Sequence, residues 1–155
     1  MRAAGPAVRI RPVTAADTDE ILGLWSRVFP EYFDPRFPQR DPRASIGRKV
    51  AFGDGRFWAA VTAQPRDAGA GERIVGTVMS GYDGHRGWIY SLGVDPDARR
   101  RGVASALLAH AEAELASAGC PKVNLQVMAG NERALAFWSA AGFAVDGVLS
   151  LGKRL

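Results

Sequence analysis

The chain of 155 residues is poor in the residues that build covalent or metal frameworks, with one cysteine, two histidines and three methionines. The lone cysteine, Cys120, excludes an intramolecular disulfide and a cysteine-based metal cluster, so no metal site is expected. No apolar run approaches the length that crosses a bilayer. The opening Met1-Arg2-Ala3-Ala4-Gly5-Pro6-Ala7 lacks the apolar centre of a signal peptide. These absences lead us to expect a cytoplasmic protein with no membrane partner. Repeats, linkers and low-complexity segments are also missing. Acidic residues are the minority: 20 Lys and Arg stand against 16 Asp and Glu, for a net charge of +4. That excess attracts polyanions in general. However, the arginines are spread along the chain, and neither an aromatic platform nor a helix-turn-helix pattern accompanies them. We therefore expect no nucleic-acid partner, and a highly phosphorylated small molecule explains the charge more narrowly.

What is present reads as one globular domain over residues 8–155, preceded by a short extension, 1–7. Val8 to Arg11 alternates as a first strand. Thr14, with Asp17 three residues on, opens a helix whose buried face is Ile21, Leu24, Trp25 and Val28. Glu31 to Arg40 is a loop rich in aromatics. Asp41-Pro42 restarts a helix, with Asp as N-cap, Pro at the first helical position, and Ile46 and Val50 on its buried side. Phe57 to Ala63 and Ile74 to Met79 read as strands, joined by a polar, Gly-rich connection from Gln64 to Arg73. Gly81 to Gly87 is a turn.

The chain is organised around the stretch from Trp88 to Leu115. Trp88, Ile89, Tyr90, Leu92 and Val94 have strand chemistry. Asp95-Pro96-Asp97 breaks that strand. From Gly102 the period changes, and Val103, Leu107, Ala111 and Leu115 mark one helix face. Helix N-termini present unpaired N–H groups and partial positive charge. Gly102 removes a Cβ from the approach to that end, Ala104 keeps a second point small, and Arg99, Arg100 and Arg101 add cations that helix stability does not require. A pyrophosphate fits such a place.

After the long helix, Gly119 reads as a C-cap. Val123, Leu125 and Val127 alternate as a fifth strand, parallel to the Trp88–Val94 strand because a helix separates them. Asn131 caps a final helix with Ala134, Phe137, Trp138 and Ala141 on one face. Gly142 ends it, and Phe143 to Leu151 supplies one or two closing strands. The fold class is α/β with a mixed sheet, in the order β-α-α-β-β-β-α-β-α-β.

Arg99-x-x-Gly102-x-Ala104 after a Val-Asp-Pro strand end resembles the acetyl-CoA loop of the GCN5-related N-acetyltransferases. Asn131-x-x-Ala134-x-x-Phe137-Trp138-x-x-x-Gly142-Phe143 resembles a second motif of that family, and the element order covers nearly the whole chain. The resemblance implies acetyl-CoA as cosubstrate and splayed parallel central strands with the pantetheine arm between them. It implies cofactor contacts from Leu92, Gly93 and Val94, from Arg99, Arg100, Arg101, Gly102, Val103, Ala104 and Ser105, and from Asn131, Phe137 and Trp138. Its acceptor would be a small-molecule, peptide or protein amine, and its assembly a monomer or homodimer. Gly81 to Tyr90 further resembles the bacterial YpeA-like subgroup.

One departure affects the chemistry. The family often places Tyr after the motif Phe, where it protonates the departing thiolate. This chain has Trp138, whose indole N–H is no acid near neutral pH. Early in the organising strand, where relatives carry Glu or His, stand Trp88 and Tyr90. Tyr90 is the catalytic candidate, although a phenol is a poor base. Asp83, His85 and Glu31 are further titratable candidates, and the resemblance implies that the loop holding Glu31 and Tyr32 shapes the acceptor site. The Asp83–Arg86 turn either binds the acceptor or shapes a hairpin. Cys120 reads as a packed thiol. The alternative to an enzyme is a non-catalytic acyl-CoA-binding module.

Overall fold

A computed structural model describes residues 7–36, 41–64 and 71–155. They form two compact units, Met1–Leu125 and Gln126–Leu155. The Phe37–Arg40 part of the aromatic loop and most of the Gln64–Arg73 connection lie outside the described residues.

The first unit is a five-stranded sheet in sequential order with helices on both faces. Its strands are β1 (Arg9–Pro12), β2 (Phe57–Ala63), β3 (Glu72–Tyr82), β4 (Gly87–Val94) and β5 (Val123–Asn124). β1 to β4 run antiparallel, and β5 joins β4 in parallel. The helices are α1 (Thr18–Val28), α2 (Pro42–Phe52) and α3 (Val103–Ser117). The predicted faces are the observed ones: Ile21, Leu24, Trp25 and Ile46 are buried against one side of the sheet, and Val103, Leu107, Leu108, Ala111 and Leu115 are buried in α3.

Local chemistry explains the boundaries. Asp41 Oδ1 accepts Ala44 N–H at 3.0 Å, Pro42 follows it, and Gly53 closes α2 at φ +72°. Thr14 and Asp17 build a 3-10 turn (Ala15–Asp17) before α1. Asp17 accepts from Thr14 N at 2.8 Å and from Arg11 at 2.8 and 2.9 Å. The aromatic loop has a use: Phe29 and Tyr32 stack at 4.8 Å between ring centroids, and both meet Trp25 edge-on. Such pairs contribute about 0.5–1.5 kcal/mol each beyond area burial.

Two expectations are corrected. The fifth strand is two residues long, not the five from Val123 to Val127. Residues 143–155 hold neither helix nor strand. The apolar run Phe143-Ala144-Val145 is cut by Asp146-Gly147, which leaves pieces shorter than a usual strand of about 5–6 residues. The second unit contains α4 (Glu132–Ala140). Gln126 donates to Ser150 Oγ and ties its two ends.

Candidate active site

The site begins as a fault in the β3–β4 ladder. Thr77 pairs with Gly93 and Met79 with Tyr90, so Ser91 and Leu92 both stand opposite Val78. This is a β-bulge, a device that re-aims the strand beyond it. Ser91 has φ +49°, unusual for a residue with a side chain. Three groups hold it there. Thr77 Oγ1 donates to Ser91 O at 3.3 Å, Trp25 Nε1 donates to Thr77 Oγ1 at 2.9 Å, and the hydroxyls of Tyr32 and Ser91 share a bond at 3.1 Å.

Beyond the bulge, β4 has an open edge. β5 pairs with it only at Gly87 and Trp88, so among the described residues no ladder covers Ile89 to Val94 on that side. Asp95 N donates to Val75 O of β3 at 2.8 Å. Alternation along the strand therefore aims Gly93 N–H at β3 and Val94 N–H away from it, toward the open edge. Gly93 is glycine for a different reason: a Cβ there would lie 2.7 Å from Phe29 Cζ and 2.8 Å from Val28 Cγ1.

The turn after β4 is built on Asp95, which is buried. Its Oδ1 accepts Asp97 N–H at 3.0 Å, and its Oδ2 accepts Arg27 at 2.7 Å and Arg73 at 2.8 Å. Burial pushes this carboxyl up, but Asp97 N–H and the two guanidinium groups outweigh it and hold its pKa below the ordinary value. The sequence reading treated Asp95 as a turn breaker and missed that it clamps α1 and β3 to the strand end.

The three arginines separate. They all precede α3 rather than occupy its first turn, which carries no charge. Arg99 Nε folds back to Val94 O at 3.2 Å. Arg100, at φ +60°, and Arg101 are exposed. Gly102 is the N-cap at φ +78°, with open space where a Cβ would be. Ala106 N makes the first helical bond, to Gly102 O at 2.9 Å, and no side chain caps the end. The N–H groups of Val103, Ala104 and Ser105 are thus the orphan donors of α3. Val103's side chain is buried toward Gly76, so only its backbone is offered.

On the α1–α2 face a cavity of about 570 Å³ opens beside the bulge, lined by Trp25, Tyr32, Asp41, Pro42, Ser45, Arg48, Lys49, Phe52, Met79, Tyr90 and Ser91. Tyr90 is half-exposed on its wall and stacks on Trp88. Burial, and then the charge of Asp83, push the Tyr90 phenol above its ordinary pKa. It therefore stays protonated near neutral pH and is a hydrogen-bond donor rather than a base. Tyr32 reaches the cavity; Glu31 is absent from its lining. Asp83 accepts from His85 N at 2.7 Å and Arg86 N at 2.8 Å. Those bonds hold its carboxyl below the ordinary range, led by the one from Arg86. Asp83 shapes the hairpin, and His85 is exposed on that turn. Cys120 Sγ donates to Lys122 O at 3.3 Å.

α2's contribution to the cavity was not foreseen. Its readable signal was the spacing of Asp41, Ser45, Arg48 and Phe52, which share a helix face. In the second unit, Asn131 Oδ1 accepts Ala134 N–H at 3.1 Å and caps α4. Phe137 and Phe143 each meet Trp138 edge-on, with centroids 5.1 and 5.2 Å away.

The chain is similar to known proteins in sequence and in fold. The model of the Acetyltransferase (GNAT) family matches residues 18–143. Acetyltransferase SG1711 of Sodalis glossinidius (strain morsitans) is 40% identical over 149 residues, covering 96% of this chain and 96% of that protein. Among solved structures, AAC(6')-Iy in complex with the bisubstrate analog CoA-S-monomethyl-acetylneamine has a TM-score of 0.68 at 18% identity, over 96% of this chain and 99% of that one. The PaiA N-acetyltransferase of Thermoplasma acidophilum, in complex with coenzyme A, has a TM-score of 0.69 at 14% identity, over 92% of each chain. At these identities the structural likeness speaks for the fold, and the sequence matches speak for the family. The chain belongs to the GNAT acetyltransferases, and it is an acetyl-transferring enzyme. No described helix is long and apolar enough to cross a membrane.

Proposed function

We propose that the protein moves an acetyl group from acetyl-CoA to a primary amine held in the cavity beside Ser91. The observation that carries this reading is the bulged strand β4, with an open edge after Ser91, the cavity beside the bulge, and the uncapped α3 N-terminus beyond the Asp95 turn. The residues fit the cosubstrate. Gly102 leaves open space before three orphan N–H donors, and Arg100 and Arg101 stand exposed next to them. This is the chemistry a pyrophosphate needs. Val94 N–H, with Leu92 beside it, is available to pair with an amide-bearing arm and to polarise a thioester carbonyl. Assignment of Asn131, Phe137 and Trp138 to the cofactor rests on the motif they form.

Acetyl-CoA supplies a thioester carbon open to nucleophilic attack. The chain orients the amine through the cavity wall. Tyr90 and the Tyr32–Ser91 pair offer hydroxyls to the amine or to a water that takes its proton. Trp138 replaces the usual tyrosine acid, so the thiolate is expected to take its proton from solvent. The Gly81–Tyr90 hairpin is the feature that suggests the YpeA-like subgroup. A cytoplasmic location, expected from the single cysteine, is part of the proposal.

The test is thermal unfolding with and without acetyl-CoA, followed by thiol release with a panel of amines. A ligand at about 100 times its dissociation constant adds roughly 2.7 kcal/mol, which raises the midpoint by about 5 °C or more in a domain of this size. No shift at millimolar acetyl-CoA sinks the proposal. A shift with no thiol release for any amine favours the second reading, a non-catalytic acyl-CoA-binding module, which Trp138 and the unassigned base support.

A further inference from the structure

The cavity beside Ser91 carries a charge pattern that acetyl transfer as such does not use. α2 brings Asp41, Ser45, Arg48, Lys49 and Phe52 to it. The ionic groups among them are not equivalent. Asp41 Oδ1 accepts Ala44 N–H as the helix cap at one end of the wall. Lys49 Nζ donates to Asp54 Oδ2 at 2.7 Å and to Ser80 O at 2.6 Å, and its side chain is only 15% exposed. Its charge is answered inside the wall. Arg48 is exposed at the cavity and has no ion pair or hydrogen bond among the described residues.

We infer, resting on the acetyl-transfer reading of this site, that the acceptor amine also carries a carboxylate and that Arg48 receives it. A guanidinium offers donors in a planar fork that matches a carboxylate's two oxygens, and the bond is charge-assisted. Trp25, Tyr32, Pro42, Phe52, Met79 and Tyr90 give the wall a surface for a hydrocarbon or aromatic side chain. A volume of about 570 Å³ lies in the range of small-molecule sites. An amino acid or the end of a short peptide meets all three conditions: an amine toward Ser91, a carboxylate toward Arg48, and an apolar side chain against the rings. A polyamine meets the opposite. It has no carboxylate for Arg48 and would bring several ammonium groups beside its guanidinium.

The experiment is calorimetric titration, in the presence of coenzyme A, of wild type, Arg48→Ala and Arg48→Lys. The probes are N-acetyl-L-phenylalanine, its C-terminal amide, and spermidine. The wild type is expected to bind the acid at least about tenfold more tightly than the amide, a difference of about 1.4 kcal/mol, and more tightly than spermidine. Arg48→Ala removes the preference for the acid, and Arg48→Lys keeps part of it. Equal affinity for acid and amide, tighter binding of spermidine, failure of the acid to bind at millimolar concentration, or an unchanged preference in Arg48→Ala each overturns the inference. Because Arg48 makes no bond within the described residues, its substitution leaves folding intact, which the unfolding midpoint checks. Acetyl-CoA binding is read in the same samples. Loss of that binding in wild type sinks the acetyl-transfer reading; a missing acid preference with that binding intact sinks only the carboxylate.

Discussion

Trp25 Nε1 donates a hydrogen bond to Thr77 Oγ1 across 2.9 Å, in a core where both side chains are at most 1% exposed. Thr77 then donates to Ser91 O, so one hydroxyl joins α1, β3 and the bulge of β4. Thr77→Val keeps the volume and removes the hydroxyl. It leaves a buried indole N–H unpaired, which costs about 1–3 kcal/mol. Urea unfolding reads this as a lower midpoint at unchanged slope. The same variant frees Ser91, so its acetyl-transfer rate falls beyond what the stability loss explains.

Gly93 tolerates no side chain. A Cβ would press on Phe29 and Val28 at under 3 Å, and overpacking of this kind costs about 1–3 kcal/mol. Gly93→Ala should lower the unfolding midpoint by roughly 2–12 °C, taking about 2–4 °C per kcal/mol for a domain of this size. A midpoint within a degree of wild type means that α1 shifts freely on the sheet.

Gly102 separates strain from ligand binding. At φ +78° with open space around it, any L-residue costs about 1–2 kcal/mol of backbone strain, so Gly102→Ala and Gly102→Glu lose similar stability. Only the glutamate brings an anion to the orphan N–H groups. It should weaken acetyl-CoA binding by more than about tenfold relative to the alanine variant. Equal affinity of the two variants contradicts placement of the pyrophosphate at this loop.

Carboxyls held below their ordinary pKa make stability fall in acid, and Asp17 and Asp95 are the ones least exposed to solvent. Asp17 lies below its ordinary pKa of 3.8 through its bond from Arg11, and Asp95 lies below that value because Asp97 N–H, Arg27 and Arg73 outweigh burial. Their folded-state pKa values are depressed, so the unfolded chain binds protons first as pH falls below about 4. Their stabilisation is present above that pH and is lost as pH drops toward the folded pKa values. Denaturant midpoints at neutral pH and near pH 3 should show this decline. Asp17→Asn should flatten it, because asparagine does not titrate.

Tyr90 gives a kinetic test. With its phenol raised above the ordinary value by burial and by Asp83, it holds its proton through neutrality. Tyr90→Phe should lower turnover but leave any ionisation near neutral pH where it stands in wild type. A shifted pH profile would restore Tyr90 as the base.

The parts legible in the sequence are those set within a few residues of one another. Strand β4 and its break at Asp95-Pro96 follow from β-branched and aromatic side chains meeting a turn. The caps at Asp41 and Asn131, the glycine at 102, and the buried face of α3 follow from local donors, positive φ and helical period. Over-reading entered where a local pattern needed distant support. Val123 to Val127 alternates, but a strand exists only as far as a neighbour pairs with it, and β4 accepts only its first two residues. Phe143 to Leu151 is apolar, but apolarity without a ladder is not a strand.

Three things were decided by tertiary structure alone. The bulge at Ser91 depends on Thr77, Trp25 and Tyr32, which lie 14 or more positions away along the chain. Gly93 must be glycine because α1 crosses it. Arg48 and Lys49 look alike in sequence, but the turn at Asp54 and the carbonyl of Ser80 answer one and leave the other facing the cavity. The amino-acid order by itself determined the helices, their caps, the first four strands and the family, because dihedral preference and hydrophobic period act over a few residues. It left open which side chains meet, because that is settled by how helices lie on a sheet whose strands are far apart in the chain.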